Sequence, residues 1–200
     1  MALLDGSGAE AEAVLARLDR DGAEVEVQRI LRTAAESVPE IAVFVAGVRA
    51  ERLAWIAEKA TELSAARLVI LRTERTQAFR AASSVLSRLE RLVREAAKQC
   101  GSPRWPEVSG PVLLADVLRQ ERASHSFLFD REGDRFPARL TPAPTALLVG
   151  PEGGWTAEER RAAREVGWTT VAVPAGKLRT ETAVVAALVL AHAALDAGKR

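Results

Sequence analysis

From Ile41 onward the chain alternates short apolar runs with stretches of helical spacing, and this rhythm constrains the fold more than any other feature of the sequence. Residues 41–48 form a near-continuous apolar run, as a strand buried on both faces requires. Residues 50–63 have helical spacing, 68–71 read as the next short strand, and a longer helix is predicted over 80–99. In that helix Val85, Leu89, Leu92, Val93 and Ala96 share one stripe, leaving Arg88, Arg91, Arg94 and Lys98 outside it. Pro103 and Pro106 end it. A short helix over 113–119 leads to strands at 126–130 and 146–149. Thr156-Ala157-Glu158-Glu159 then reads as a capping box, worth about 1 kcal/mol to the helix it opens. The last strand is predicted at 168–173 and the last helix at 181–195, with Gly198 just beyond it. Strand–helix alternation of this kind implies an α/β fold with a mainly parallel sheet.

The first 40 residues follow a different rule. Residues 12–18 and 23–30 alternate polar and apolar side chains around Asp19-Arg20-Asp21-Gly22, a good hairpin turn. Two strands alone bury too little to be stable, so they pack on something else or form part of a barrel. Residues 36–40 read as a linker. Of the 200 residues 48% are apolar and 28% charged, which excludes a disordered chain. The apolar run 183–191 is shorter than a bilayer span, and no basic-then-apolar leader opens the sequence. One cysteine, Cys100, makes no internal disulfide, and two histidines, His125 and His192, are too few for a dedicated metal cage. A cytoplasmic protein without metal or membrane partner is therefore expected.

The net charge of +1 conceals an uneven distribution. Residues 1–48 carry 4 basic and 9 acidic side chains, whereas 49–104 carry 12 basic and 6 acidic. The basic segment suits either a solvated helix face or a surface for phosphates.

Ligands of parallel sheets sit beyond the carboxyl ends of strands, and two strand ends carry unusual residues. After Leu147-Leu148-Val149 comes Gly150-Pro151-Glu152-Gly153-Gly154-Trp155, whose glycines allow close backbone approach to a ligand ahead of a capped helix. It matches neither the phosphate-loop nor the dinucleotide fingerprint. The second end is Val173-Pro174-Ala175-Gly176-Lys177-Leu178-Arg179-Thr180-Glu181-Thr182, set against a very apolar helix. Either Thr180 or Thr182 caps that helix while Glu181 complements its dipole, or the cluster meets a ligand. A positive charge is unfavourable at a helix N-terminus, so Arg179 is expected to serve an anion or a carboxylate such as Glu152.

The pair G-P-E-G-G-W at 150–155 and L-R-T-E-T-A at 178–183 resembles the signature of the 16S ribosomal RNA uridine-N3 methyltransferase family, within the SPOUT superfamily. Lys59-Ala60-Thr61-Glu62-Leu63, Glu74-Arg75, Ala96-Ala97-Lys98-Gln99 with Pro106, and Leu4-Asp5-Gly6-Ser7-Gly8 extend the resemblance over nearly the whole chain. It implies a truncated PUA-like β-barrel remnant at 1–35, then a SPOUT α/β methyltransferase domain at 36–200 with a trefoil knot at about 126–200. It also implies a homodimer acting on 16S rRNA of the small ribosomal subunit, and S-adenosylmethionine as cofactor. The cofactor would be held by Phe129, Leu148, Gly150, Pro151, Gly153, Gly154, Val173, Pro174, Gly176, Leu178 and Thr182.

Under this reading Arg179 stabilises charge on the uracil oxygens, and Glu152 or Glu181 accepts the N3 proton, unless both carboxylates only orient Arg179 and the loops. RNA would lie across Arg49, Arg52, Arg72, Arg75, Arg88, Arg91, Lys98 and Arg104. Trp105 and Trp155 offer either stacking surfaces or core packing, and Cys100 and both histidines read as structural. The sequence departs from the family at Ser102 in place of Arg, at Ser64 in place of Gly, and over Val173–Lys177 in place of Leu-Gly-x-Arg-Ile. The alternative is a non-catalytic RNA-binding or ribosome-assembly factor that keeps the fold.

Overall fold

A computed structural model describes residues 1–32, 39–76 and 83–198 of the chain. The linker at 36–38 and the predicted helix start at 80–82 lie outside the described residues.

Three strands, β1 (Ala2–Leu4), β2 (Glu10–Leu18) and β3 (Ala23–Arg32), form an antiparallel sheet in the order β1-β2-β3. The Asp19–Gly22 turn closes the hairpin, with Asp19 Oδ1 accepting the amides of Asp21 and Gly22. Asp5 shapes the turn after β1 in the same way: its carboxylate accepts from the Ser7 amide at 2.8 Å, the Ser7 hydroxyl at 2.7 Å and the Ala9 amide at 3.0 Å. Those bonds, the Ser7 hydroxyl foremost, hold the Asp5 carboxyl below the usual range. This small sheet leaves Val14, Leu18, Val27 and Ile30 exposed and is anchored to the rest of the chain through Pro103 and Arg104.

The remaining strands are β4 (Ile41–Ala46), β5 (Arg67–Arg72), β6 (Glu107–Leu113), β7 (His125–Arg135), β8 (Thr145–Val149) and β9 (Thr169–Ala172). They form one sheet in the order β6-β5-β4-β8-β7-β9, and every pairing is parallel. Helices α1 (Ala50–Glu62), α2 (Ser83–Cys100) and α5 (Thr180–Ala197) cover one face, while α3 (Leu114–Gln120) and α4 (Ala157–Glu165) cover the other. Alternation within β4 shows the division: Ile41, Val43 and Val45 join the α1/α2/α5 core, and Ala42 and Phe44 the α3/α4 core.

The sequence pattern missed β6. Its Gly110-Pro111 pair reads as a turn, yet the strand sits at the sheet edge, where a proline costs no inner ladder bond. It also shortened β7, because the polar run Arg131–Arg135 gives no apolar alternation; Asp134 and Arg135 pair only with β9. The expected capping box is present: Glu159 N donates to Thr156 Oγ1, and Thr156 N to the Glu159 carboxylate.

Helix α5 is long and apolar enough to cross a membrane by length and composition, but one side of it packs into the core through Val184, Ala187, Leu188, Ala191, Ala194 and Leu195. It returns across the sheet from edge strand β9 to lie against α1, β4 and β8. Its start is thereby carried back to the end of β8, 30 residues earlier in the chain.

Candidate active site

The carboxyl ends of β7, β8 and β9 surround a cavity of about 500 Å³. Three loops wall it: 129–132 after the core of β7, 150–155 after β8, and 173–178 after β9. A cavity of about 570 Å³ lies at the opposite end of the sheet, beside Leu118, Arg119, Glu121 and Trp168. It faces the amino ends of β7 and β9 and the carboxyl ends of α3 and α4.

The glycine-rich turn is fixed from inside. Gly154 N donates to Pro151 O at 2.8 Å, and Gly154 takes φ +73°, a left-handed conformation suited to glycine. Trp155 is buried and its indole N–H donates to Phe129 O at 2.9 Å, tying the turn to β7. A Cβ on Gly150 would come within 2.9 Å of that indole. Trp155 is therefore packing, not a free stacking surface.

Thr180 is buried and its hydroxyl donates to Gly150 O at 3.1 Å. The N-cap position of α5 belongs to Arg179, with no side-chain cap bond. Thr180 is thus neither cap nor idle: it joins the two signature loops directly.

Electrostatics at the mouth rests on Arg52 of α1. Its guanidinium donates to Glu152 Oε1, and its Nε lies 3.8 Å from Glu181 Oε1. Glu152 is pulled below the ordinary carboxylate range chiefly by that hydrogen bond and charge, with Arg179 and Lys177 adding at longer reach. The same contact raises Arg52 above its ordinary value. Among the described residues Glu181 Oε2 is buried with no hydrogen-bond partner. Glu152 is therefore paired with Arg52, where the sequence pointed to Arg179. The exposed Arg179 makes no ion pair among the described residues.

Of the residues named from the sequence, Phe129, Gly150, Pro151, Glu152, Gly153, Gly154, Val173, Gly176 and Leu178 line the cavity. Leu148 is buried within the sheet, and Pro174 and Thr182 are exposed outside the wall. Arg75, assigned to the basic surface, lines the cavity and donates to Gly154 O at 3.3 Å. Arg104 donates to Ser7 O through Nε and Nη2, at 3.2 and 3.0 Å, and so anchors the N-terminal sheet. Arg49, Arg72, Arg88, Arg91 and Lys98 are exposed.

Sequence reasoning missed Asp130 and Arg160, which also line the cavity. The Asp130 side chain is 8% exposed and receives Arg160 Nη1 at 3.2 Å. An acidic residue at the carboxyl end of an apolar strand was the available signal. Among the described residues no group of three or more His, Cys, Asp or Glu side chains is arranged to hold a metal.

The arrangement is concave, lined by glycine main chain and apolar side chains together with three carboxylates (Asp130, Glu132 and Glu152), three arginines (Arg75, Arg131 and Arg160) and Lys177. Residues 27–192 match the family model described as an RNA methyltransferase domain. The chain is 34% identical over 136 residues to ribosomal RNA small subunit methyltransferase E of Aquifex aeolicus, covering 65% of this chain and 58% of that protein. The protein of the same name from Mycobacterium bovis is 30% identical over 200 residues, covering 94% and 76%. The crystal structure of a ribosomal RNA small subunit methyltransferase E from Neisseria gonorrhoeae bound to S-adenosyl methionine superposes with a TM-score of 0.82. The two are 27% identical, over 94% of this chain and 80% of that one.

Proposed function

Because the chain belongs to the RNA methyltransferase domain family, we propose that it methylates N3 of a uridine in 16S rRNA of the small ribosomal subunit, using S-adenosylmethionine. The observation that carries this reading is the cavity closed by the Thr180–Gly150 hydrogen bond, built from both signature loops. Its volume suits a ligand of that size, and its walls combine apolar side chains for the donor's uncharged parts with carboxylates at Asp130, Glu132 and Glu152 for its ammonium. When bound, the donor supplies an electrophilic methyl group. The 150–154 backbone, Phe129, Val173, Gly176 and Leu178 would hold it, with Leu148, Pro174 and Thr182 supporting the loops from outside the wall.

Glu152 accepts the N3 proton. It lines the cavity, its side chain is half exposed, and the hydrogen bond from Arg52 fixes its position. Glu181, with one oxygen buried, serves as a fixed counter-charge to Arg52. Arg179, exposed and without an ion pair among the described residues, stabilises charge on the uracil oxygens. The exposed Arg49, Arg72, Arg88, Arg91 and Lys98 receive RNA phosphates.

The proposal includes a PUA-like β segment at 1–35, a SPOUT domain at 36–200, a trefoil knot at about 126–200, a homodimer, and a cytoplasmic setting without metal or membrane. The return of α5 to β8 supports the knot. The half-exposed Val189 and Trp55 on α5 and α1 support a partner copy.

The test is methyl transfer from labelled donor to purified small subunits lacking the modification, with the modified base mapped. Label at N3 of one uridine is expected. Donor binding without transfer to any uridine would favour the RNA-binding or assembly reading instead.

A further inference from the structure

We propose that Arg52 is a positioning residue for proton removal, tying Glu152 on the glycine-rich turn to Glu181 at the start of α5, and that it does not grip RNA. This rests on the methyltransferase reading above.

Three observations support it. Arg52 projects from α1, outside both signature loops, yet donates to the carboxylate of one and stands 3.8 Å from the carboxylate of the other. Among the described residues it makes the one ion pair to Glu181, whose second oxygen is buried and unpartnered. A carboxylate in that position needs its counter-charge, so Arg52 cannot be released to a phosphate without leaving Glu181 exposed to the full cost of burial. Finally, the Arg52 side chain is 31% exposed against 73% for Arg91, an arginine that does point to solvent. A planar guanidinium can serve two carboxylates at once, and a lysine ammonium cannot do so with the same directions.

The consequence is geometric. With Arg52 in place, Glu152 stands ionised at one position on the cavity wall. The N3 proton of uracil passes to its carboxylate and then to water from this half-exposed side chain. The charged groups facing Glu152 are Arg52 from α1, Lys177 and Arg179 from the 173–179 loop, and Glu181 behind Arg52.

The experiment compares Arg52→Ala, Arg52→Lys, Glu152→Gln and Arg88→Ala with the unmodified chain. Readouts are S-adenosylmethionine titration, kcat and KM for small subunits against pH, and thermal midpoints of the ligand-free proteins. Arg52→Ala should lower kcat by about tenfold to a hundredfold with KM for subunits little changed. Its acid limb should move to higher pH, and Arg52→Lys should recover only part of the loss. Glu152→Gln should lower kcat by about a hundredfold. Arg88→Ala should instead raise KM and reduce its salt dependence.

If Arg52→Ala behaves like Arg88→Ala, or keeps both kcat and the acid limb, the proposal is overturned. Should Arg52→Ala not fold, Glu152→Gln removes the charge from the same pair while keeping its shape and an acceptor oxygen, and unaltered kcat there is equally fatal. An unmodified protein that binds no donor would refute the parent reading separately.

Discussion

The hydroxyl of Thr180 and the carbonyl of Gly150 lie 3.1 Å apart, joining the start of α5 to the end of β8 through one buried hydrogen bond. Thr180→Val keeps the shape and removes the donor, leaving the Gly150 carbonyl unpartnered. A loss of about 1 kcal/mol is expected in denaturant unfolding. Donor affinity should fall as well, because the bond spans the cavity; unaltered titration curves would show that the loops hold their positions without it.

Gly150 allows no side chain. A Cβ there would sit 2.9 Å from the Trp155 indole, which is itself held by its bond to Phe129 O. Gly150→Ala should therefore displace Trp155 and cost about 1–3 kcal/mol by overpacking. Trp155 fluorescence cannot be isolated from the other three tryptophans, so the check is thermal denaturation together with donor titration.

Ser64 predicts the opposite sign. Helix α1 ends in a Schellman motif: Ala65 N donates to Ala60 O at 2.8 Å and Ser64 N to Thr61 O at 3.0 Å. Ser64 occupies the left-handed position at φ +53°, where a residue without a Cβ is unstrained. Ser64→Gly should stabilise the protein by about 1 kcal/mol, visible as a higher thermal midpoint with unchanged transfer kinetics.

The parallel sheet was legible because strands buried on both faces must be continuous apolar runs, as 41–46 and 145–149 are. The two loops stood out in the sequence because the stretches at 150–155 and 178–183 together resemble a family signature, whereas a glycine-rich turn or a capped apolar helix alone is as often structural. What escaped was relational. Arg52 and Glu152 are 100 residues apart, and no local pattern says that a guanidinium on α1 reaches the β8 turn. Arg104 carries the charge of an RNA contact, and only the docking of Ser7 against it shows where that charge is spent. Thr180 looked like a cap, and the return of α5 to β8 made it a bridge between loops.

Acid should weaken the Arg52–Glu152 link in a definite window. Glu152 has its folded pKa depressed, first by the Arg52 hydrogen bond and charge. Its contribution is therefore full above the unfolded glutamate value and is lost as pH falls through the lower folded value. The difference in thermal midpoint between the unmodified chain and Arg52→Ala should be constant near neutrality and shrink only under acid conditions. A difference that grows on acidification would contradict the assigned sign.

The basic surface can be divided by salt. Arg88, Arg91 and Lys98 stand exposed on α2, whereas Arg104 is committed to the Ser7 carbonyl. Neutralising a residue that displaces counterions from RNA should lower the slope of log affinity against log salt by about one, with little effect on folding. Arg88→Ala, Arg91→Ala and Lys98→Ala should each weaken binding in this way and leave donor titration unchanged. Arg104→Ala should lower the thermal midpoint, because its two hydrogen bonds hold the N-terminal sheet to the segment after α2. If Arg104→Ala instead changes the salt slope and not the midpoint, its guanidinium faces RNA in the working complex, and the N-terminal sheet is held there by other contacts.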